Sequence, residues 1–460
     1  MGEAKRRRKL ALRPVAQAVS EAMSWVDTPG GKLQVRWNDE AAVTPFGQMA
    51  FFIEFLMMTG ILDAWMESCP LNYRSPNAPS KRDVLGTWLL SILAGHKRYA
   101  HVTSIRSDGV NPGLLGMEKV VSEDALRRGL KAIDEELGVT WLQEHLERSV
   151  LPLLKAPWIL DVDTTVKLLY GRQEGAVVGY NPKKPGRPSH TYHTYLVAGL
   201  RLVLDAEVMA GNASQSNHTL PGLLRLLNQF TPEQRPYLVR GDGGFGNDPV
   251  MIELEERDQP YLFKLRLTAG VKRCIERSFF GGAWTDAGAG WEGLESQLRL
   301  AGWDRDRRVV ILRRPLQGEV VVAGRIEGQQ VLEFIGEDSP LQRYEYAVLV
   351  TSLPHEVRMI AQLYRDRGDA ENSFDELKNQ WGWGGFTTQD LHRCQLTARA
   401  VALAYNWWSL FVRLAHPQAR LEDLVPRSPS WRSCGRWPEK ATPSLSWPAI
   451  RPYCFPVRRR

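Results

Sequence analysis

The chain has 460 residues, 43% hydrophobic and 24% charged, which is enough for two or three globular domains. Its net charge of +7 is concentrated at the ends: residues 1–14 contain six Lys or Arg and one Glu, and residues 425–460 contain eight and one. Basic ends on a mildly acidic body are typical of a protein that binds a polyanion, although basic ends can also serve solubility alone.

Cysteine usage and hydropathy limit the possible compartments. The five cysteines are scattered and include no Cys-x-x-Cys pair, which argues against a disulfide framework or a structural zinc site. Residues 1–30 are too polar for a signal peptide, and we predict a flexible basic arm there. No apolar run is long and uninterrupted enough to span a bilayer, so we expect a soluble cytoplasmic protein.

Residues 31–155 predict a mostly helical domain, with amphipathic segments separated by short polar turns. Ser122 is a predicted N-cap, because two acidic residues and an apolar helical pattern follow it. The segment could form a helix-turn-helix unit with Arg127, Arg128 and Lys131 on the recognition helix, or a plain bundle. The sequence leaves both possibilities open.

From Trp158 the hydrophobic period changes from helical to strand-like. Residues 156–267 follow the order strand, strand, strand, helix, strand, helix, strand. Residues 268–355 predict a β-rich insertion, 356–424 return to helix, and 425–460 predict a poorly folded basic tail. The predicted fold class is α/β: a mixed sheet with helices on both faces, interrupted by a β-rich insertion and preceded by a mostly α-helical domain.

Four polar residues near position 370 share one stripe if their segment is a single helix. At about 100° per residue, the spacing i, i+3, i+7 and i+14 places them close together. They are Tyr364, Arg367, Glu371 and Lys378. An apolar stripe roughly 100° away would face the core. A carboxylate flanked by cations and a phenol suits a site where a metal ion meets a phosphate backbone, and the alternative is a solvated amphipathic face.

Two aspartates follow predicted strands that would be parallel neighbours. Asp163 is predicted to end the first strand and Asp242 the fourth, and active sites of α/β sheets lie at the carboxyl ends of strands. Glu371 would supply a third carboxylate, and Asp161 is a rival to Asp163. Three oxygen ligands without His or Cys favour Mg²⁺ or Mn²⁺, and two such ions roughly 4 Å apart suit displacement at a phosphodiester.

The strand order with these three acids resembles the ribonuclease-H-like core of DDE transposases and integrases. The spacing Tyr364-x2-Arg367-x3-Glu371-x6-Lys378 is similar to the signature of the fourth insertion-sequence family of bacteria, which also has a β-rich insertion before its glutamate. The segments DVDTT, YGRQEGAVVGYNPKKPGRPSHTYH and RGDGGF resemble its other motifs. The resemblance covers roughly residues 155–412. The tail departs from the family pattern, as in a truncated or frameshifted copy.

The resemblance implies a transposase that moves an insertion sequence by cut-and-paste, through metal-dependent DNA cleavage and strand transfer. Asp163, Asp242 and Glu371 would be catalytic residues and ligands of two Mg²⁺ or Mn²⁺ ions, which makes Asp161 an indirect contributor. The partners would be double-stranded DNA, as terminal inverted repeats and as target, and a second copy of the chain in a homodimer. The helical domain would be the candidate that binds DNA ends, and the protein would lie at the bacterial nucleoid.

Several residues are expected to contact DNA. The signature contributes three of them, a turn-rich basic loop contributes three, and a tryptophan of the insertion would stack on a flipped base. They are Tyr364, Arg367, Lys378, Lys183, Lys184, Arg187 and Trp291, with Trp284 and Trp303 as rivals to the last. Two alternatives stay open, namely a metal-dependent nuclease without strand transfer and a catalytically inactive DNA-binding relative.

Overall fold

The computed structural model describes most of the chain between the two ends. The described residues are 24–28, 31–35, 43–44, 46, 49–73, 75–181, 184–213, 218–316, 340–385, 388–415 and 435–436. In this part of the chain one ten-stranded mixed sheet is combined with helices, and a helical region precedes it. The predicted α/β class with a helical N-terminal domain is therefore confirmed.

The N-terminal domain is a helical bundle around one almost fully buried helix. Its helices are α1 (Met49–Thr59), α2 (Ile61–Ser68), α3 (Lys81–Leu93), α4 (Val102–Ile105), α5 (Asn111–Leu114), α6 (Glu123–Ala132) and α7 (Glu135–Val150). Every residue of α3 from Asp83 onward is buried, so this helix is the centre of the bundle. Ser122 caps α6 as predicted, since its hydroxyl accepts a hydrogen bond from the amide of Ala125 at 3.2 Å.

Short strands lie at the two ends of the described chain. β1 (Ser24–Thr28) and β2 (Gly31–Val35) form an antiparallel hairpin, and β3 (Val43–Thr44) pairs with β14 (Gly435–Arg436). The prediction of a flexible arm up to residue 30 is therefore wrong at its end, because Ser24–Thr28 is a strand. The rest of the arm and of the basic tail lies outside the described residues.

The core sheet follows the predicted order of elements and adds one short strand, Val177–Val178, that the sequence did not predict. Its strands are β4 (Ile159–Leu168), β5 (Val177–Val178), β6 (Pro188–Val197), β7 (Leu202–Ala210), β8 (Leu238–Gly241) and β9 (Tyr261–Lys264), with α8 (Leu220–Leu227) and α9 (Asp248–Glu255) between the last three. The spatial order is β7–β6–β4–β8–β9, and β5 also pairs with β6. β4, β8 and β9 are parallel, whereas β6 is antiparallel to both β4 and β7.

The insertion continues the same sheet. It consists of α10 (Ala269–Gly281), β10 (Thr285–Gly288), β11 (Trp291–Leu298), β12 (Arg307–Pro315) and β13 (Tyr344–Thr351). β13 pairs antiparallel with β9, and β12, β11 and β10 follow outward in that order. The strands of the insertion are therefore joined to the core by continuous backbone hydrogen bonding.

The predicted single helix across residues 364–378 is wrong. α11 (Val357–Arg365) ends before a turn, and α12 (Gly368–Asn379) begins after it. Across this turn the hydrogen bonds span three residues, because the Arg367 amide bonds to the Tyr364 carbonyl at 3.1 Å and the Ala370 amide to the Arg367 carbonyl at 3.0 Å. Gly, one of the poorest helix formers, follows directly, and such tightened turns are common at helix ends.

A long buried helix joins the bundle to the sheet. α13 (Leu391–Ala415) packs against both α7 and β7. Its Asn406 side chain accepts from the amide of Val203 and donates to the carbonyl of the same residue, both at 2.8 Å. This amide side chain therefore satisfies the backbone of β7 as a neighbouring strand would.

No single helix of the described chain is long and apolar enough to cross a bilayer, and α1 with α2, which meet at 73°, pass only as a bent pair.

Asn406→Ala is expected to lower the free energy of unfolding by about 2–4 kcal/mol, because it leaves a buried N–H and a buried C=O of Val203 without partners. Urea denaturation measures this loss. Ser409→Ala is the control, since the buried Ser409 hydroxyl, one turn along α13, has no hydrogen-bond partner among the described residues. It should change stability by less than about 1 kcal/mol. Equal losses in both variants would assign the effect to packing along α13.

Candidate active site

A buried ion pair lies beneath the site. Arg240 on β8 donates to both carboxylate oxygens of Asp161 on β4 at 2.7 Å each, and also to the carbonyl of Leu363 on α11. Both charged side chains are 1% exposed. Burial raises the pKa of Asp161, and the hydrogen bonds and charge of Arg240 oppose that shift. Arg240 therefore ties two strands and a helix together, and both oxygens of Asp161 are occupied.

Asp163 and Asp242 lie side by side at the sheet. β4 and β8 pair in parallel as far as Val162 and Gly241, so the next residues, Asp163 and Asp242, are neighbours. The prediction that Asp163 ends its strand is wrong, because β4 continues to Leu168 in its pairing with β6. What ends at this point is the parallel pairing with β8, which leaves both carboxylates at its carboxyl end.

Asp163 is held by two donors. Arg367 donates to one of its oxygens at 2.9 Å, and the Thr165 hydroxyl donates to the other at 3.1 Å. Burial raises the pKa of Asp163, the Arg367 charge lowers it, the Asp242 charge raises it, and the Lys378 charge lowers it. Asp242 and Lys378 are therefore both within electrostatic reach of Asp163.

Arg367 also binds Glu371. Its second amino group donates to the Glu371 carboxylate at 2.8 Å, so one guanidinium bridges Glu371 and Asp163. The Arg367 side chain is 3% exposed, whereas that of Glu371 is 67% exposed. Burial lowers the pKa of Arg367, but the surrounding carboxylates outweigh it and the net shift is upward. This guanidinium therefore stays charged.

The acids have the right chemistry for a hard cation. All three candidate ligands are carboxylates, the oxygen donors that Mg²⁺ and Mn²⁺ prefer. Within the described residues, however, no three His, Cys, Asp or Glu side chains are arranged to hold an ion. Asp163 and Asp242 fit such a role by their adjacency, while the Glu371 carboxylate is bound to Arg367.

Tyr364 completes this group despite the break between α11 and α12. Burial raises the pKa of Tyr364 to about 12, the Arg367 charge lowers it, and the charges of Asp242 and Glu371 raise it. The phenol is therefore neutral at pH 7 and can donate a hydrogen bond. The structure thus brings together Tyr364, Arg367, Glu371, Lys378, Asp163 and Asp242.

The predicted basic loop is exposed, and its described cations lie against an aromatic ring. Lys184 and Arg187 are exposed, and they lie 5.7 Å and 5.0 Å from the ring centroid of Tyr170. Lys183 lies outside the described residues. DNA contacts by this loop stay a prediction.

Trp291 lies at the same end of the sheet as the acids. It begins β11, the fourth strand from β8, which corresponds to roughly 19 Å at the usual strand spacing. It is half-buried, packs against the same hydrophobic cluster as Tyr364, and has Arg314 at 4.9 Å from its ring. Of the rivals, Trp303 is only 7% exposed, and Trp284 is covered by Arg313 at 3.8 Å.

The sequence reasoning missed two buried arginines. Arg240 interrupts the apolar run of β8, and a lone charge in a buried strand is a signal for an ion pair. Arg201, in the turn before β7, donates to Asp369 at 2.9 Å and lies 3.8 Å from Glu376, so it anchors α12 to the sheet. No periodicity marks Arg201, because its partners lie far away in the sequence.

Comparison with protein families assigns the chain to one of them. Residues 57–428 match the family described as Transposase DDE domain group 1, and the chain therefore belongs to this family.

One solved structure shows a distant similarity. The piggyBac transposase in a synaptic complex with hairpin DNA is similar over 84% of this chain and 81% of that chain, at 11% identity and a TM-score of 0.40. A likeness of this extent carries nothing about activity or partners. No curated protein matches this chain.

The pH dependence of stability should report Glu376. Burial raises its pKa from 4.5 to about 7, with Arg201 and Tyr405 opposing the shift. Because the folded state holds this proton more tightly, the stabilisation is complete below pH 4.5 and is lost as the pH rises through 7. Relative to Glu376→Gln, the wild-type free energy of unfolding is expected to fall by about 3 kcal/mol across this window. Urea denaturation at several pH values tests this, and pH profiles of identical shape would contradict it.

Proposed function

We propose that this chain is a cut-and-paste transposase of a bacterial insertion sequence, which cleaves DNA strands at the element ends and transfers them to target DNA. One observation carries the proposal: Asp163 and Asp242 are adjacent at the sheet, and Arg367 ties Glu371 to Asp163. Membership of a DDE transposase family supports the reaction class. The spacing of the Tyr-Arg-Glu-Lys signature supports the particular insertion-sequence family.

The candidate residues divide the work by their chemistry. Asp163 and Asp242, with Glu371, would hold Mg²⁺ or Mn²⁺, and two ions are expected. When bound, such ions activate the attacking oxygen and stabilise the leaving oxygen of the phosphodiester. Arg367 fixes the positions of Asp163 and Glu371 relative to each other. The neutral Tyr364 phenol donates a hydrogen bond to a phosphate oxygen.

The proposed partners are double-stranded DNA and a second copy of the chain. Terminal repeats and target DNA would both bind at the acidic site, where Lys378 supplies a positive charge close to Asp163. Lys184 and Arg187 add exposed cations on their loop, and Trp291 offers a half-buried ring on the insertion. A homodimer would hold both ends of one element.

Single substitutions of the acids test the reaction. Asp163→Asn, Asp242→Asn and Glu371→Gln are each expected to lower strand cleavage on the order of 10³-fold, because each removes a charge facing the reacting phosphate. The substrate is a plasmid that carries the gene with its flanking DNA, assayed with and without Mg²⁺ or Mn²⁺. Asp366→Asn is the control, since Asp366 is an exposed acid in the turn beside Arg367 and should retain activity.

The products separate the proposal from its alternatives. DNA ends joined to a second DNA indicate a transposase, whereas cleavage without joining indicates a nuclease on the same core. Binding without cleavage under any metal condition indicates an inactive relative. Full cleavage by the Asp163→Asn and Asp242→Asn variants would show that the acids are assigned wrongly.

Salt dependence tests Lys378. Lys378→Ala is expected to weaken DNA binding and to reduce the slope of log K against log salt by about 1, because one phosphate contact is lost. Fluorescence anisotropy over a range of salt concentrations measures the slope. Lys378→Arg keeps the charge and should keep the slope. An unchanged slope in Lys378→Ala would remove this residue from the phosphate contacts.

A further inference from the structure

Two tyrosines of the segment between β4 and β6 are unusually exposed. The side chains of Tyr170 and Tyr180 are 70% and 67% exposed. Each has a guanidinium over its ring: Arg187 lies 5.0 Å from the Tyr170 centroid, and Arg266 lies 5.1 Å from the Tyr180 centroid. The contacts differ in origin, because Arg187 belongs to the same loop whereas Arg266 follows β9.

Arg266 stands beside the candidate active site. β8 and β9 pair in parallel as far as Gly241 and Phe263, so the next residues, Asp242 and Lys264, are neighbours, and Arg266 follows two positions later. A Cβ atom placed on Gly243 would lie 3.1 Å from Cγ of Arg266, so this side chain runs directly along the loop that follows Asp242. Through Arg266, the ring of Tyr180 is therefore anchored at the same edge as the acids.

Arg266 and Lys264, the two cations at this edge, can attract an approaching phosphate. Arg266 is exposed, and Lys264 is half-buried. Across the part of the chain that the structure describes, neither side chain forms an ion pair with a carboxylate. A phosphate that approaches the acids therefore meets two unneutralised cations on the β9 side.

The exposed ring defines what this edge can bind. Arg266 covers one face of the Tyr180 ring, and the high exposure leaves the other face open to a flat ligand. Inside a duplex both faces of each base are covered by its neighbours, whereas an unpaired base has the free face that stacking on such a ring requires. A nucleotide supplies both the base for Tyr180 and the phosphate for Arg266 and Lys264.

We propose that Tyr180, backed by Arg266, is a stacking platform for an unpaired base of the DNA strand next to the scissile phosphate. This deepens the proposed function and rests on it. The platform is separate from Trp291, which lies on β11, the fourth strand from β8. It would hold the strand that frays or is displaced when an end is cut.

The test compares two forms of one DNA with the full chain. One probe is a blunt duplex, and the other is the same duplex with a short single-stranded overhang that contains 2-aminopurine, whose fluorescence falls on stacking. Divalent metal is omitted, so that the probes are not cut. Tyr180→Ala is expected to weaken binding of the overhang probe about tenfold and to abolish its quenching, with the blunt duplex unaffected.

Matched variants separate stacking from charge and from general exposure. Tyr180→Phe keeps the ring and should bind as the wild type does. Tyr170→Ala removes an equally exposed tyrosine of the same segment and should leave quenching unchanged. Arg266→Ala should reduce the slope of log K against log salt by about 1, because a phosphate contact is lost.

Three outcomes would overturn the inference. Wild-type quenching in Tyr180→Ala would show that no base stacks there, and an equal loss in Tyr170→Ala would show a non-specific effect of the loop. Equal weakening for blunt and overhang probes would show that the ring does not select unpaired bases. If the wild-type chain bound neither probe, the proposed function itself would fail. If the wild-type chain cleaved element ends normally and one of the three outcomes above was found, only the platform would be rejected.

Discussion

The site depends on the guanidinium of Arg367, which bridges Asp163 and Glu371. Without this buried cation, Asp163 and Asp242 would be adjacent carboxylates, partly removed from water, and neighbouring like charges oppose ionisation. The bridge starts at the break between α11 and α12. Arg367 lies in the tightened turn, where its side chain enters the sheet while Glu371, on the first turn of α12, remains at the surface.

Below this bridge a second arginine repeats the arrangement. Arg240 binds Asp161 two residues before Asp163 on the same strand, so the two pairs stack along one face of the sheet. The lower pair is sealed, since both of its side chains are 1% exposed, and it fixes α11 through the Leu363 carbonyl. The upper pair is open on the Glu371 side. The buried pair thus positions the strands, and the upper pair leaves the Glu371 carboxylate exposed to solvent.

Local patterns predicted the sheet well because strand periodicity is a property of neighbouring residues. The parallel neighbours Asp163 and Asp242 also followed from the order of elements. The helix break did not follow from the sequence. The polar residues from Tyr364 to Lys378 have the same spacing along the chain whether or not one turn between them is tightened. Arg201 was not predicted for another reason. Its carboxylate partners on α12 lie more than 160 residues away in the sequence, as the 168-residue separation from Asp369 shows. Only the folded chain brings them together.

The joining of the insertion to the core by a continuous hydrogen-bonded ladder has a mechanical consequence. From β10 to β8 each described strand is hydrogen-bonded to the next, so these strands share one backbone ladder. Bending the described strands of the insertion relative to the core would distort this ladder. A ligand that crosses both parts is therefore expected to adapt to the shape of the sheet.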